Sequence, residues 1–181
     1  MKLNEHGSNL RHALPLLLAA TCSTDAEEFA LDYRVKASYL LNLLRFIDWP
    51  HDVCDPHGQL NLSICGADGL DAYYALHDEP VGGRTLYVER IRDIGTPSTQ
   101  KRHILVLGGD KPVQSIPIMR GLLTVGEADA FTARGGIVNL LLIGGRVRFE
   151  INEEMAKACD FVIDPKLSKL KVPAWYSANV R

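Results

Sequence analysis

The sequence predicts an α/β protein, a single-domain sandwich in which a mixed β-sheet is flanked by helices and a C-terminal β-hairpin is followed by a helix. Three observations carry this. Apolar residues recur at helical spacing across residues 28–48. Short apolar runs then alternate with glycine-rich breaks and helix-like segments. Finally, Gly144-Gly145 separates two strand-like runs, residues 137–143 and 146–151.

In the first helix Leu31, Val35, Tyr39 with Leu40, Leu43 with Leu44, and Ile47 follow one another at three- or four-residue steps, and Trp49-Pro50 ends the run. The stripe Val35, Tyr39, Leu43 and Ile47 is expected to face the core, and Leu40, Leu41 and Phe46 widen it into a surface that a partner can use. After a polar loop, residues 60–65 read as a strand, Gly66-Ala67-Asp68-Gly69 as a turn, and residues 70–77 as a helix. Residues 84–91 alternate apolar Leu86, Val88 and Ile91 with polar neighbours, and residues 103–107 form a buried strand closed by Gly108-Gly109-Asp110. A helix interrupted by Pro117 is expected over residues 111–120, and a short strand over 122–125.

The hairpin follows, its two glycines suited to the positive φ of a tight turn. In its second arm Val147, Phe149 and Ile151 alternate with Arg146, Arg148 and Glu150, the first set facing a core and the second facing water. Asn152 caps a helix that carries Glu153 and Glu154 in its first turn, where the helix dipole favours negative charge. Residues 161–163 read as a short strand and 165–170 as a helical turn.

The chain has 181 residues, 46% of them hydrophobic, and a net charge of -2, enough apolar material for one buried core. It shows no basic stripe with interleaved aromatics, so nucleic acid is not an expected partner. No apolar run approaches the roughly 20 residues that cross a bilayer. Lys2 and Arg11 precede Ala13-Leu-Pro-Leu-Leu-Leu-Ala-Ala20, the order of a secretory signal, and Cys22 after Ala19-Ala20-Thr21 suggests a lipid-attachment site that the threonine before it fits poorly. Residues 1–26 are therefore read as a leader, 27–172 as the folded domain and 173–181 as a loose tail. The four cysteines, at 22, 54, 65 and 159, do not form a dense disulfide scaffold.

Few residues suggest chemistry. His51-x-x-Cys54-x-x-His57 contains metal-ligand types but lacks an assigned fourth ligand, and it reads as a polar loop. Gly66, Asp68, Gly69, Gly108 and Gly109 sit where strands end in turns, the place where open α/β folds often bind ligands. Neither turn is a GxGxxG motif or a P-loop, and each carries an aspartate that repels phosphate. They define a candidate crevice for a small molecule or anion, the alternative to a protein-binding role. His103 reads as a hydrogen-bonded structural histidine. No nucleophile elbow or zinc-protease motif is present, and neither an enzyme activity nor a cofactor is expected.

The wording of several segments is distinctive. Val35-Lys-Ala-Ser-Tyr-Leu-Leu-Asn-Leu-Leu-Arg-Phe-Ile-Asp-Trp-Pro50, Leu62-Ser-Ile-Cys-Gly66, Gly83-Arg-Thr-Leu-Tyr-Val88, His103-Ile-Leu-Val-Leu107 and the hairpin block resemble the YfiR family from about Tyr33 to about Leu170. The resemblance implies a small, non-enzymatic α/β protein of the Gram-negative periplasm. Its named member represses a membrane-bound diguanylate cyclase by binding the periplasmic sensing domain, which lowers cyclic di-GMP. The partners implied are such a cyclase or a sensor kinase, with a homodimer expected. Redox-responsive members carry a disulfide from the strand at Cys65 to the position before the His103 strand, here Arg102, and another near the hairpin, where residues 128–136 lack cysteine. Only Cys65 matches, so it is read as a structural thiol rather than a switch.

Overall fold

The computed structural model describes residues 31–53, 58–66, 70–95, 101–108 and 115–173. Helix α1 spans residues 31–44 of the described chain. It is followed by strands β1 (Ile47–Asp48), β2 (Gln59–Gly66), β3 (Pro80–Val81), β4 (Arg84–Ile91), β5 (Ile104–Gly108), β6 (Leu123–Gly126), β7 (Val138–Ile143) and β8 (Arg146–Ile151). Helix α2 (Glu153–Ala158), strand β9 (Val162–Ile163) and helix α3 (Pro165–Leu170) complete the order, and a 3-10 helix, Leu70–Leu76, lies between β2 and β3.

Seven strands form one sheet in the order β3-β4-β2-β5-β6-β7-β8. Pairings from β4 through β7 are parallel, and the two outermost, β3 with β4 and β7 with β8, are antiparallel. This is the mixed sheet expected from the alternation of strands and crossovers. The hairpin turn is built as the sequence indicates, with Gly144 at φ 56 and Gly145 at φ 70.

Register sorts the side chains. Leu60, Leu62 and Ile64 of β2 align with Leu86 and Val88 of β4 and with Ile104 and Val106 of β5, all on one face. That face carries the larger core, and α1, the 3-10 helix, α2 and α3 all contribute to it. Each fully buried leucine or isoleucine there contributes on the order of 1.5–3 kcal/mol. The opposite face has a smaller core of Ile91, Leu105, Leu107, Leu122 and Phe131, which includes no described helix.

The helix α1 presents Tyr33, Ala37, Leu40, Leu43 and Leu44 to the larger core. Of the expected stripe, Leu43 and Ile47 are buried and Tyr39 packs against the core, but Val35 is 44% exposed and Leu31, one turn before it, 58%. A leucine-rich helix offers more than one apolar line at 3.6-residue spacing, and the sheet takes the line that begins at Tyr33. Leu40, read as surface, is fully buried, whereas Phe46 is exposed. The helix also ends earlier than expected. Trp49 precedes a proline and must be extended, and Ile47–Asp48 pairs with Val162–Ile163 in a second, two-stranded sheet.

Residues 70–76 were expected as a helix and adopt the tighter 3-10 form, whose three residues per turn stack Leu70, Tyr73 and Leu76 on the buried side. Of the helix expected over 111–120, the described residues 115–119 are not helical. The expected cap forms at Asn152, whose Oδ1 accepts from the Met155 N–H at 3.0 Å, and Asp164 Oδ1 accepts from the Lys166 N–H at 2.7 Å, with Pro165 opening α3.

Both sheet edges are partly covered. On β4 the Val88 N–H donates to His77 Nδ1 at 3.1 Å. On β8 the Phe149 carbonyl accepts from the Val172 N–H at 2.9 Å.

Glu150 departs from its expected solvent position. It is fully buried, accepting from Thr132 Oγ1 at 3.0 Å and from Asn139 Nδ2 at 3.4 Å. The segment carrying Thr132 covers the outer face of β7 and β8, so the polar side of the hairpin does not meet water there. Glu150→Ala strands these buried donors and is expected to cost about 1–3 kcal/mol, read from urea unfolding midpoints at constant slope.

His103 behaves as the structural histidine expected. Its Nδ1 accepts from the Asn61 N–H at 3.0 Å, and burial lowers its pKa below the ordinary 6.5. A depressed imidazole pKa contributes stability that is complete above the unfolded-state value and is lost as pH falls through the folded-state one. Unfolding midpoints should therefore decline on acidification below about pH 6.5 and do so less steeply in His103→Gln.

Candidate functional site

The carboxyl ends of the parallel strands β2, β5 and β6 meet along one edge of the sheet. Strand β2 lies between β4 and β5, so the chain leaves it first toward one side and later returns on the other. This is a topological switch point, where α/β folds tend to form crevices. The candidate residues Gly66 and Gly108 are paired there at the ends of β2 and β5. Asp68, Gly69 and Gly109 fall outside the described residues, as do Cys54 and His57 of the histidine-cysteine loop.

Close packing accounts for both described glycines. A Cβ on Gly66, whose φ is 146, would come within 2.2 Å of the Gly108 carbonyl oxygen. A Cβ on Gly108 would come within 2.6 Å of the Leu70 side chain. Leu70 is itself fully buried, so the first turn of the 3-10 helix rests on these two strand ends.

Next to them, the residue after β6 gathers polar partners. Glu127 accepts from Tyr73 Oη at 2.8 Å and from Lys36 Nζ at 2.9 Å, with side-chain exposures of only 4% for Glu127 and 12% for Lys36. The Lys36 ammonium also lies 4.9 Å from the centre of the Tyr33 ring. Burial, reinforced by the Glu127 charge, pushes the Tyr73 phenol well above its ordinary pKa, which keeps it a donor. Sequence reasoning missed this cluster. Its signals were a lysine within an apolar helix and a carboxylate directly after a buried strand.

Cys65 lies at the same end of β2, on the face opposite the larger core. It is a half-buried free thiol whose Sγ is 3.9 Å from the Arg92 carbonyl oxygen. Burial, with Asp93 adding to it and Arg102 opposing it, raises its pKa, so the protonated thiol predominates at neutral pH. Arg102, just before the His103 strand, donates from Nη1 to the Ile94 carbonyl at 2.9 Å.

A second polar cluster lies at the other end of α1. Arg120 makes a bidentate pair with Asp52 at 2.6 and 2.8 Å and also bonds Asp160. The hydrogen bond to Arg120 lowers the Asp52 pKa, and the two carboxylates raise that of Arg120. The cluster ties the loop after Pro50 to the turn before β9. His51 sits nearby, exposed, and the described residues contain no group of three metal-capable side chains.

The YfiR/HmsC-like family model matches residues 33–171, from the first buried residue of α1 to the residue after α3. The chain belongs to this family. No curated protein matches it. At the family level these are periplasmic regulators of diguanylate cyclase without catalytic function. No helix among the described residues is long and apolar enough to cross a membrane.

The packing of the strand ends gives a direct test. Gly66→Ala forces a Cβ onto backbone and is expected to lower stability by at least about 1–3 kcal/mol. Gly145→Ala, where nothing lies within 4 Å, meets no such clash and should lose less in the same urea titration.

Proposed function

We propose that this chain is a periplasmic regulatory protein that binds the outer domain of a membrane diguanylate cyclase and represses it, lowering cyclic di-GMP inside the cell. The family match over residues 33–171 carries this reading, because it spans the whole described core rather than one strand or turn. The buried polar side chains support it in kind. They hydrogen-bond across elements in two separate groups, Lys36 and Tyr73 on Glu127 and Thr132 and Asn139 on Glu150, which is the pattern of a scaffold. Repression by contact requires a difference in affinity between two states of the cyclase. The repressor holds the outer domain in its inactive arrangement, and release shifts the population toward the active one. Residues 1–26 supply the export signal in this reading, and the folded domain begins at about residue 27.

Deleting the gene should raise cyclic di-GMP, and the chain tagged in the periplasm should capture a membrane cyclase from detergent-solubilised envelopes. An unchanged cyclic di-GMP level together with no captured cyclase would overturn the proposal.

A further inference from the structure

At one side of the sheet β4 is flanked by the two-residue strand β3, where Arg84 pairs with Val81 and Thr85 with Pro80. Leu86 continues this edge through the turn that enters β3. Its N–H donates to the Glu79 carbonyl at 3.0 Å, and its carbonyl accepts from the Asp78 N–H at 2.9 Å. Alternate residues of a strand turn their backbone groups to the same edge, so Val88 presents the next N–H there. A side chain takes it: His77 Nδ1 accepts from the Val88 N–H at 3.1 Å, in the place of another strand.

Local structure brings the ring to this position. The 3-10 helix ends at Leu76, and the His77 N–H donates back to the Tyr74 carbonyl at 3.0 Å. Asp78 follows at φ 65, a left-handed conformation that few non-glycine residues adopt. The imidazole also meets the Tyr87 ring edge-on, with centres 5.2 Å apart.

An imidazole nitrogen that accepts a hydrogen bond carries no proton, so in the neutral ring the hydrogen sits on Nε2. Nε2 lies 3.7 Å from Asp78 Oδ1. A proton added to Nδ1 removes the lone pair that Val88 uses, and the Asp78 carboxylate favours the charge so formed. The ionisable groups facing the ring are Asp78 on its own turn and Tyr87 on β4, and Pro80 and Val81 of β3 carry none. Other charged neighbours in sequence are placed elsewhere. Glu79 lines a groove between α1 and the 3-10 helix, and Arg84 lines a cavity with Trp49 and His51. Glu89 accepts from Ser63 Oγ at 2.7 Å, and Arg90 pairs with Asp71 at 2.7 Å.

We propose that His77 is a proton-operated latch on the edge of β4. Neutral, it holds the Val88 N–H and keeps the turn between the 3-10 helix and β3 against the strand. Protonated, it gives up that N–H, and the edge of the sheet loosens at Val88. His103 accepts from a backbone N–H as well, but it is buried, whereas the His77 side chain is 39% exposed and meets solvent protons in the folded state. The inference rests on this geometry and does not depend on the cyclase being the target.

Amide hydrogen exchange, read by NMR on the full chain at about pH 5 and about pH 7.5, brackets histidine titration and tests the latch. Rates are corrected for the intrinsic pH dependence of exchange. In the wild type, Val88 should lose at least about tenfold in protection at the acid condition, the equivalent of one ordinary hydrogen bond. Leu86, held by the Glu79 carbonyl, should change less. His77→Gln offers an oxygen acceptor that does not titrate and should keep Val88 protection nearly constant, and His77→Ala should leave it low at both conditions. His103 is present in every variant, so loosening caused there would appear equally in His77→Gln. Nitrogen shifts of the wild-type imidazole should show the Nε2–H form at neutral pH. Equal Val88 protection at the two conditions in the wild type, a parallel loss in His77→Gln, or a hydrogen on Nδ1 at neutral pH would overturn the proposal.

Discussion

One carboxylate holds the layout together. Glu127 leaves the end of β6 and accepts from Lys36 on α1 and from Tyr73 on the 3-10 helix, so three elements distant in sequence converge on two oxygens. Removing one member of such a buried pair leaves an uncompensated charge, a loss of roughly 3–5 kcal/mol. It ties α1 and the 3-10 helix to the same strand end. A groove lies between them.

Much of the sheet was legible because its signals are local. The alternation in residues 84–91 marks β4 over its whole length, Gly144-Gly145 marks the turn between β7 and β8, and Asn152 marks the start of α2. Each depends on backbone sterics or on a side chain capping its own helix, and such preferences act over a few residues. The features that escaped are those decided at long range. The strand Ile47–Asp48 exists because Val162–Ile163 comes alongside it, more than a hundred residues later. Glu150 looks like a surface residue in an alternating strand until Thr132 arrives from another segment to bond it. Val35 and Tyr33 are equally plausible core residues on periodicity alone, and only the sheet beneath α1 chooses between them.

The candidate site shows the same division. That strands end in glycines near residues 66 and 108 was readable, and the topology does place them side by side at a switch point. Why they are glycines was not readable. Gly108 accommodates Leu70 and Gly66 accommodates the Gly108 carbonyl, so the short side chain serves the packing of two strand ends and a helical turn. Family membership, by contrast, was carried by wording spread across the domain, and wording of that kind reports ancestry more reliably than it reports which atoms meet a partner.

The hydrogen bond from Val172 to the Phe149 carbonyl has a practical side. An uncovered outer strand is a template on which other molecules can stack. Trimming by a protease just ahead of Val172, or a bulky fusion that pulls this residue away, would bare that template while leaving the rest of the sheet intact. Poor recovery of such a preparation would then report sticky edges rather than a failure to fold.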